Sequence, residues 1–569
     1  MERTKGSGRA NPTDARLLCG GLRASLTDPC VDSLNSPGQR SIPKVTAVSV
    51  CPEQFQAVPP GAGPVRLFSV LADARPATRH PRTLTMQQSS QHPRLCQPRS
   101  RWQAMVGVLA AFATALAGCA TPHRLPVNVP LADVPSPHMG RPQDLLQAYT
   151  TAIAFSGGGL KASAFAAGVL EGLAASPAGQ GDLLDTVAFI SSVSGGSLTA
   201  AYYVLHGRNG LADIRSRVLD RDFESRLNLS LASPANWARL LRGGLNDRSN
   251  FAQVLDDEVF GHATFADLYA RGRPDLWINA TDLYHRTSFP FLPGVFSALC
   301  SDLRQFPVAD AVAASMAVPV VFKPTVLRTF PRHCPTPEAA FIQRTLENPS
   351  APRLLRAIAE AMRSYRDPDG PGFAKLVDGG LTDNFGLSSL LMARAVASDA
   401  HSPMTARDAI RVRKLLFLVV DAGRGPSGSW NRQFDGPGGV DSALAATDAA
   451  IDAAARLAAD SFQAVMLKWR DAVVAHRCGL TETDISVLGG VAADWRCDDV
   501  EFVVELLSFQ NADPALSTKT RAIETRLTLP REQIDAAMEA GRQAVRNSAV
   551  VRSFAAHPRL PTPPPTRER

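Results

Sequence analysis

The stretch LLDTVAFISSVSGGSLTAAYYVLHG, residues 183–207, decides the fold prediction. Its first half is an apolar run typical of a buried strand, and its second half has the apolar spacing of a helix that Gly207 is expected to close. Ser194 lies between the two halves and is followed by Gly195 and Gly196. A serine at a sharp strand-to-helix turn presents its hydroxyl, and the turn needs small neighbours. The alternative is a plain Ser-Gly-rich loop, which is a common feature.

The same alternation of strand and helix extends on both sides of this stretch. An apolar strand runs into a glycine loop in AYTTAIAFSGGG (148–159), and an alanine-rich helical pattern follows in LKASAFAAGVLEGLAA (160–175). Further strands are predicted in DLWINATDL (275–283), FAKLVDGG (373–380) and RKLLFLVVDAG (413–423). Because short links join alternating strands and helices, the sequence predicts an α/β fold in three layers. Its central, mostly parallel sheet is covered by helices on both faces.

The remaining elements follow from the same patterns. The segment DAVAASMAVPVVFKP (310–324) predicts a buried helix and a turn, and its apolar run is too short for a membrane span. A long alanine-rich helix is predicted over Ser442–Trp469, a strand over 500–509, and a helix over 530–548 with Pro530 in its first turn.

The charge distribution argues against a nucleic-acid partner. The whole chain has 60 Lys and Arg against 53 Asp and Glu, for a net charge of +7. The first 118 residues alone hold 14 basic and 6 acidic side chains, so the rest of the chain is nearly neutral. A basic surface for nucleic acid is therefore not expected.

An apolar run, residues 104–117, follows two arginines and precedes Cys119. It is shorter than the ~20 residues that span a bilayer, and it is typical of the apolar part of a secretory signal. The segment LAGC (116–119) resembles the lipobox of bacterial lipoproteins, which implies that Cys119 becomes the acylated N-terminus of the mature chain. The alternative is a short buried helix.

The cysteines after Cys119 are even in number. Their positions are Cys300, Cys334, Cys478 and Cys497. In an exported protein this number permits disulfides, and pairing of sequence neighbours, 300 with 334 and 478 with 497, is the simplest of three pairings. Buried free thiols are the alternative. The spacing is not that of a zinc site, so no metal is expected.

The glycine loop SGGGLKAS, residues 156–163, lies between the first strand and the first helix. Glycines at such a place let backbone amides point into a concave site beside a helix N-terminus, where negative charge is favoured. A phosphate-binding loop is the competing interpretation. It fits poorly, because that motif needs Ser or Thr directly after the lysine, and Ala162 follows Lys161.

A carboxylate ends another predicted strand. Asp378 precedes Gly379 and Gly380, at the kind of strand end where open α/β sheets build their sites. Alone, this sequence would indicate only an Asp-Gly turn. The serine elbow also departs from the GxSxG pattern, because Ser192 replaces its first glycine.

In chain order, the sequence therefore offers a glycine loop, a serine elbow and a strand-end aspartate. This order and these motifs resemble the patatin-like phospholipases. The resemblance covers residues 150–425, and NATDL (279–283), AVAASMAVPVVFKP (311–324) and DGGLTDNFG (378–386) also resemble core segments of that family. It implies a patatin-like fold and a Ser–Asp dyad that works without histidine.

The resemblance also implies the site residues. Ser194 is the expected nucleophile and Asp378 the base, while Lys161 stands where the family usually has arginine. The implied oxyanion donors are the backbone amides of Gly157, Gly158 and Gly159. No cofactor is implied, and the expected substrate is a phospholipid or another acyl-ester lipid. An aspartate is a weak base in water, so the site must raise its pKa or strengthen its hydrogen bond to serine.

Together these features divide the chain into a signal peptide, a tether, a catalytic domain and terminal segments. Translation is expected to begin at Met86, because a start at Met105 would remove the arginines of the signal. We expect that the mature protein is anchored by lipid in a bacterial envelope, on the outer membrane facing the periplasm, so that a membrane surface is a partner. The predicted divisions are 1–85 outside the mature protein, 86–118 signal peptide, 119–147 proline-rich tether, 148–555 catalytic domain with a helical C-terminal extension, and 556–569 disordered tail.

Two other functions compete with the dyad enzyme. A Ser–His–Asp hydrolase would also use a glycine loop and an elbow, with His401, His476 or His557 as its base. A non-catalytic envelope lipoprotein that binds lipid is the second alternative. A binding protein of this kind would not require both Ser194 and Asp378.

Overall fold

The computed structural model describes residues 127–132, 146–179, 181–227, 236, 246, 248–272, 274–396, 399–423, 425, 429–490 and 495–556. The predicted signal peptide, Cys119 and nearly all of the predicted tail lie outside the described residues.

An eight-stranded sheet organises the described part of the chain, in the order β10-β9-β1-β4-β5-β8-β7, with β6 paired to β5. The five strands from β10 to β5 are parallel to their neighbours, whereas β6 and β8 run antiparallel to β5. The strands are β1 (Tyr149–Phe155), β2 (Pro177–Ala178), β3 (Gly181–Asp182), β4 (Val187–Val193), β5 (Asp275–Asp282), β6 (Thr287–Pro290), β7 (Thr325–Arg328), β8 (Phe373–Asp378), β9 (Lys414–Asp421) and β10 (Glu501–Ser508). The short strands β2 and β3 form a separate antiparallel pair.

Helices connect and cover these strands. They are α1 (Gly159–Ala174), α2 (Gly195–Ile214), α3 (Arg248–Leu255), α4 (Phe265–Arg271), α5 (Pro293–Ala298), α6 (Val308–Ser315), α7 (Ala340–Glu347), α8 (Arg353–Tyr365), α9 (Gly380–Asp383), α10 (Ser388–Val396), α11 (Ala406–Arg411), α12 (Gly439–Cys478), α13 (Glu482–Val487), α14 (Pro514–Arg521), α15 (Arg531–Asn547) and α16 (Ala549–Ala555).

Alternate residues of the central strand β1 face two apolar cores. Ile153 and Phe155 lie in one core with α1, α2 and α15, whereas Ala152 and Ala154 lie in the other with Phe462 of α12. This alternation is what a strand buried on both faces requires, because successive side chains point to opposite sides. The predicted three-layer architecture is confirmed.

The C-terminal extension belongs to this body. Helix α15 packs along α1 on the first core, and β10 pairs in parallel with β9. The predicted helix over 530–548 and the predicted strand over 500–509 are thus confirmed within one or two residues. The extension places the segment after α14 beside the glycine loop.

Two helices differ from the prediction in their limits. Gly207 has non-helical backbone angles (φ 62°, ψ −145°), yet the chain continues as helix to Ile214, so this glycine kinks α2 and does not end it. Helix α12 extends to Cys478, beyond the predicted end at Trp469. Within the described residues, no helix combines the length and apolarity needed to cross a membrane.

Both predicted cysteine pairings are present. Cys300 is bonded to Cys334, and Cys478 at the end of α12 is bonded to Cys497. The second bond lies beside Arg477, whose buried guanidinium donates to backbone oxygens of α11 and of the segment before β10. These contacts fix the end of the long helix.

Part of the predicted tether is attached to the domain. The amide of Leu131 donates to the carbonyl oxygen of Cys300 at 2.9 Å, and Leu131 is buried. The side chain of Asn128 donates to Ser301 Oγ at 3.0 Å. Residues 127–132 therefore differ from a free proline-rich linker, because their polar and apolar groups both find partners on the domain.

Candidate active site

Ser194 occupies a strained elbow between β4 and α2. Its backbone has φ 50° and ψ −125°, a positive φ that is uncommon for a residue other than glycine. Strain of this kind costs about 1–3 kcal/mol and persists only where the surroundings enforce it. Here the amide of Ser194 donates to Ser315 Oγ at 2.8 Å, and Ser315 Oγ donates to the carbonyl oxygen of Asn279 at 2.6 Å. These two hydrogen bonds fix the elbow to α6 and β5.

The glycine after the nucleophile is required by close packing. A Cβ atom at position 195 would lie 1.9 Å from the carbonyl oxygen of Gly159, which no rearrangement of a side chain could relieve. The elbow and the glycine loop are therefore in direct backbone contact. The departure from GxSxG is tolerated because Ser192 is small and buried, with its hydroxyl donating to the carbonyl oxygen of Trp277 at 3.3 Å.

The structure brings the predicted serine and aspartate together. Ser194 Oγ donates to Asp378 Oδ2 at 2.8 Å, although the two residues are 184 positions apart in the chain. The other carboxylate oxygen, Oδ1, accepts the amide of Gly380 at 2.8 Å. These two bonds hold the carboxylate in one orientation and leave Oδ2 facing the hydroxyl. Both side chains are buried.

Burial raises the pKa of Asp378 to about 6, although the hydrogen bonds from Gly380 and Ser194 act in the opposite direction. A carboxylate with this pKa is a stronger base than an exposed aspartate and is still largely ionised at neutral pH. General bases work best when their pKa lies near the operating pH. The site thus satisfies the requirement that sequence reasoning placed on this aspartate.

The glycine loop corrects one part of the prediction. The amide of Gly157 donates to the carbonyl oxygen of Asn384 at 3.1 Å, so it is not available to an oxyanion in this conformation. Among the residues that the structure describes, the amides of Gly158 and Gly159 have no hydrogen-bond partner. Two of the three predicted donors are free, and the third closes the loop against the segment after α9.

Two helix N-termini meet at the dyad. Helix α1 begins at Gly159 and α2 begins at Gly195. The amides at the first turn of a helix carry partial positive charge, which favours an anion nearby. The region around Ser194 Oγ therefore suits a developing negative charge better than a neutral ground state.

Lys161 lies away from the dyad. Its side chain is fully buried, and Nζ donates to the carbonyl oxygen of Ile523 at 3.3 Å. The same atom lies 5.7 Å from the ring centroid of Phe509. The lysine that replaces the usual arginine thus connects α1 to the C-terminal extension.

The two described histidines among the proposed alternative bases contact each other and not the dyad. The rings of His401 and His476 are tilted at 40° to each other, with centroids 4.5 Å apart, and His476 lies near the end of α12. His557 lies outside the described residues. In the part of the chain that is described, neither Ser194 nor Asp378 has a hydrogen bond to histidine.

Three supporting residues were not predicted as part of the site. They are Asn279, Ser315 and Asn384. Asn279 also donates to Ser191 Oγ and to the carbonyl oxygen of Ser192, each at 3.0 Å, so it connects the ends of β4 and β5. The only signal for these residues in the sequence is their place in segments that resemble the family core.

One family model matches part of the chain. Residues 153–391 match the model described as patatin-like phospholipase. The match contains Ser194, Asp378 and the glycine loop. Among curated proteins, no relative matches the chain.

The solved structures that the chain resembles have low sequence identity to it. Human GIVD cytosolic phospholipase A2 is 13% identical, with 72% of this chain and 62% of that chain covered and a TM-score of 0.34. The same human protein in complex with methyl gamma-linolenyl fluorophosphonate is 14% identical, with coverages of 72% and 59% and a TM-score of 0.33. VipD from Legionella pneumophila is 13% identical, with coverages of 76% and 72% and a TM-score of 0.27. The chain thus spans about three fifths of the human enzyme's length.

Proposed function

We propose that this protein is a lipid acyl hydrolase that cleaves fatty-acyl esters with a Ser194–Asp378 dyad through an acyl-enzyme. The observation that carries the proposal is the 2.8 Å hydrogen bond from Ser194 Oγ to Asp378 Oδ2 beside two unpartnered glycine amides. The patatin-like phospholipase domain supports a lipid ester as the substrate.

In the first step, Ser194 Oγ attacks the ester carbonyl carbon while its proton passes to Asp378 Oδ2. Serine is a weak nucleophile, so an adjacent base is needed to accept this proton. The hydrogen bond from Gly380 keeps Asp378 oriented during the transfer. The proton then passes to the leaving oxygen as the carbon–oxygen bond breaks, which releases the alcohol part of the lipid.

The charge that develops on the carbonyl oxygen is accepted by the amides of Gly158 and Gly159. Such donors act in a buried site where their orientation is fixed before the reaction begins, and each contributes about 2.7–4 kcal/mol to lowering the barrier. The N-terminus of α2 adds favourable electrostatics at the same point. Water then attacks the acyl-enzyme with Asp378 as base, and free fatty acid leaves.

The test is product analysis with the full chain, using phosphatidylcholine whose two acyl chains differ. Wild type should release fatty acid, and the chain that is released identifies the cleaved position. Ser194→Ala and Asp378→Asn should release none above background. His401→Gln and the exposed-serine variant Ser225→Ala should keep wild-type rates. Loss of activity in His401→Gln together with full activity in Asp378→Asn would instead favour a Ser–His enzyme.

We further propose that the protein is lipid-anchored through Cys119 in a bacterial envelope. The proposal rests on the basic flank, the apolar run and the LAGC segment of the sequence. An anchor of this kind would hold the enzyme at its substrate surface. Mass spectrometry of the mature N-terminus should find an acylated Cys119, and Cys119→Ala should abolish the modification. An unmodified chain that begins at an upstream residue would contradict the proposal.

A further inference from the structure

A second serine, Ser364, which precedes Asp378 by 14 residues, also has a base within hydrogen-bond distance. Ser364 Oγ lies 2.7 Å from His285 Nε2, and His285 Nδ1 lies 2.6 Å from Asp282 Oδ2. Asp282 ends β5, His285 lies in the turn between β5 and β6, and Ser364 lies in the last turn of α8. The three side chains form the hydroxyl–imidazole–carboxylate relay that acyl-transfer sites use on unrelated folds.

The carboxylate of this relay is held ionised and oriented. Asp282 is fully buried and accepts the hydroxyl of Tyr365 and the amide of Tyr284, in addition to the imidazole. Burial opposes ionisation, but the hydrogen bonds from His285 and Tyr365 outweigh it and hold the pKa of Asp282 below its usual value. An ionised carboxylate can only accept, so His285 carries its proton on Nδ1.

This tautomer determines what Nε2 can do. In neutral His285 the Nε2 atom is an acceptor, and the single hydroxyl hydrogen of Ser364 has two acceptors in reach. One is Nε2 at 2.7 Å, and the other is the carbonyl oxygen of Ala361 in the same helix, at 2.8 Å. A hydrogen bond to Nε2 polarises the hydroxyl for attack, whereas a hydrogen bond to the carbonyl oxygen of Ala361 is an ordinary contact within a helix.

The relay is open to small reactants. Ser364 is only partly buried, and the neighbouring side chains of Leu283 and Tyr284 are 48% and 66% exposed. The ring of Tyr284 packs edge-on against His285, with centroids 4.9 Å apart. An acyl group that reached Ser364 would therefore meet apolar surface beside the imidazole.

We propose that Ser364 is a second acyl-accepting serine, activated by the His285–Asp282 pair, that takes compact activated esters and organophosphorus compounds. In the step, Ser364 Oγ forms a bond to the acyl carbon or phosphorus, and the bond to the leaving group breaks, which is a C–O bond in an ester and the P–F bond in a fluorophosphonate. The serine proton passes to His285 Nε2 and from there to the departing oxygen or fluoride. Water can then hydrolyse an acyl adduct by the same proton path.

The surroundings limit the reactants to those with good leaving groups. The amides just after the helix are already engaged. The amide of Asp367 donates to Ser364 O at 3.3 Å, and the amides of Gly370 and Asp369 donate to the carbonyl oxygen and to the carboxylate of Asp367, each at 3.0 Å. The end of α8 also presents carbonyl oxygens, which disfavour an oxyanion. A reactant must therefore need little oxyanion stabilisation.

The test is mass mapping of adducts from a small fluorophosphonate on the full-length Ser194→Ala variant. We expect an adduct on the Ser364 peptide and none on the exposed serines 225 and 350. His285→Asn keeps a donor toward Asp282 but has no atom at the Nε2 position. On the Ser194→Ala background it should slow labelling of Ser364 by about 10²-fold or more, the effect of a general base.

The result that overturns the proposal is a Ser194→Ala protein in which Ser364 is labelled no more than the exposed serines 225 and 350. Equal labelling of Ser364 with and without His285→Asn would also overturn it. Thermal unfolding of each variant shows whether the fold is kept. The Ser194→Ala protein carries no substitution near Ser364, so its adduct map reports on an unaltered relay. Because Ser194 is absent from every sample, the outcome is independent of the proposed lipid hydrolysis.

Discussion

Two serines in this molecule hold nearly the same hydrogen bond in opposite surroundings. Ser194 donates to Asp378 at 2.8 Å, and Ser364 lies 2.7 Å from His285. Ser194 precedes the first turn of α2, beside two unpartnered glycine amides, whereas Ser364 lies in the last turn of α8 among amides that already have partners. The bases also differ, since Asp378 is a buried carboxylate and His285 is a partly buried imidazole.

The difference teaches that a base within reach of a hydroxyl does not by itself make a lipase site. The attack creates a charged oxygen, and its stabilisation is usually the largest contribution to catalysis. Only the Ser194 site offers donors and a helix N-terminus for that charge. This difference is why we propose Ser194 for lipid hydrolysis and Ser364 for reactive, compact acyl donors alone.

The largest expected effect separates the two serines directly. Ser194→Ala should lower kcat/KM for phospholipid by about 10⁴-fold or more, because a nucleophile cannot be replaced by its base alone. Ser364→Ala should change it by less than about twofold, within the range of a surface substitution. Fatty-acid release from vesicles measures both. A large loss in Ser364→Ala, with Ser194→Ala active, would reverse the assignment.

The second prediction tests the oxyanion donors. Gly158 has φ 138°, a conformation that side chains rarely adopt, and an added Cβ would lie 3.3 Å from Ala162 Cβ. Gly158→Ala should shift the loop amides and lower kcat by about 10²–10³-fold with a smaller change in KM. The matched control is Gly372→Ala, because an added Cβ at that position meets open space. Equal kcat and KM values for the two variants would show that the loop amides take no part in the mechanism.

The third prediction concerns pH. Because the base must be ionised, kcat/KM should rise with pH and level off above the pKa of Asp378, about 6. An unperturbed aspartate would place the same inflection near 3.9. A pH–rate profile between pH 4 and 9 distinguishes the two positions of the midpoint. An inflection near 4 would mean that burial does not tune this carboxylate.

The smallest expected effect is on stability. The folded-state pKa of Asp378 is raised, so its contribution to stability is fully present below the unfolded pKa and is lost as pH rises through about 6. Asp378→Asn removes the buried charge and keeps an oxygen for the amide of Gly380. Its Tm should therefore exceed that of wild type at pH 8, with no difference near pH 4. A lower Tm for the variant at pH 8 would show that the ionised carboxylate stabilises the fold.

Much of the dyad site could be predicted from the sequence, because local patterns specify it. The elbow at Ser194 and the aspartate at 378 follow apolar runs, and each strand end is marked by glycines. Parallel strands bring such ends to one edge of the sheet, which predicts their proximity. The antiparallel direction of β8 was not predicted, yet its last residue still reaches the elbow through pairing of Asp378 with Ala280.

The parts that sequence did not predict depend on distant contacts. The amide of Gly157 is taken by Asn384, and nothing in a glycine-rich loop indicates which of its amides will find such a partner. The Ser364 relay joins a turn after β5 to the end of α8, with no motif around the serine. Such pairs arise from packing of elements far apart in the chain.

The measurement that tests the central claim most directly is the labelling rate of Ser194 by a fluorophosphonate, with the adduct mapped to its peptide. We compare wild type, Asp378→Asn and His401→Gln. The account predicts an adduct on Ser194 in wild type, an undiminished rate in His401→Gln, and a rate slower by about 10²-fold or more in folded Asp378→Asn. Labelling of Ser194 at the wild-type rate in Asp378→Asn would contradict it.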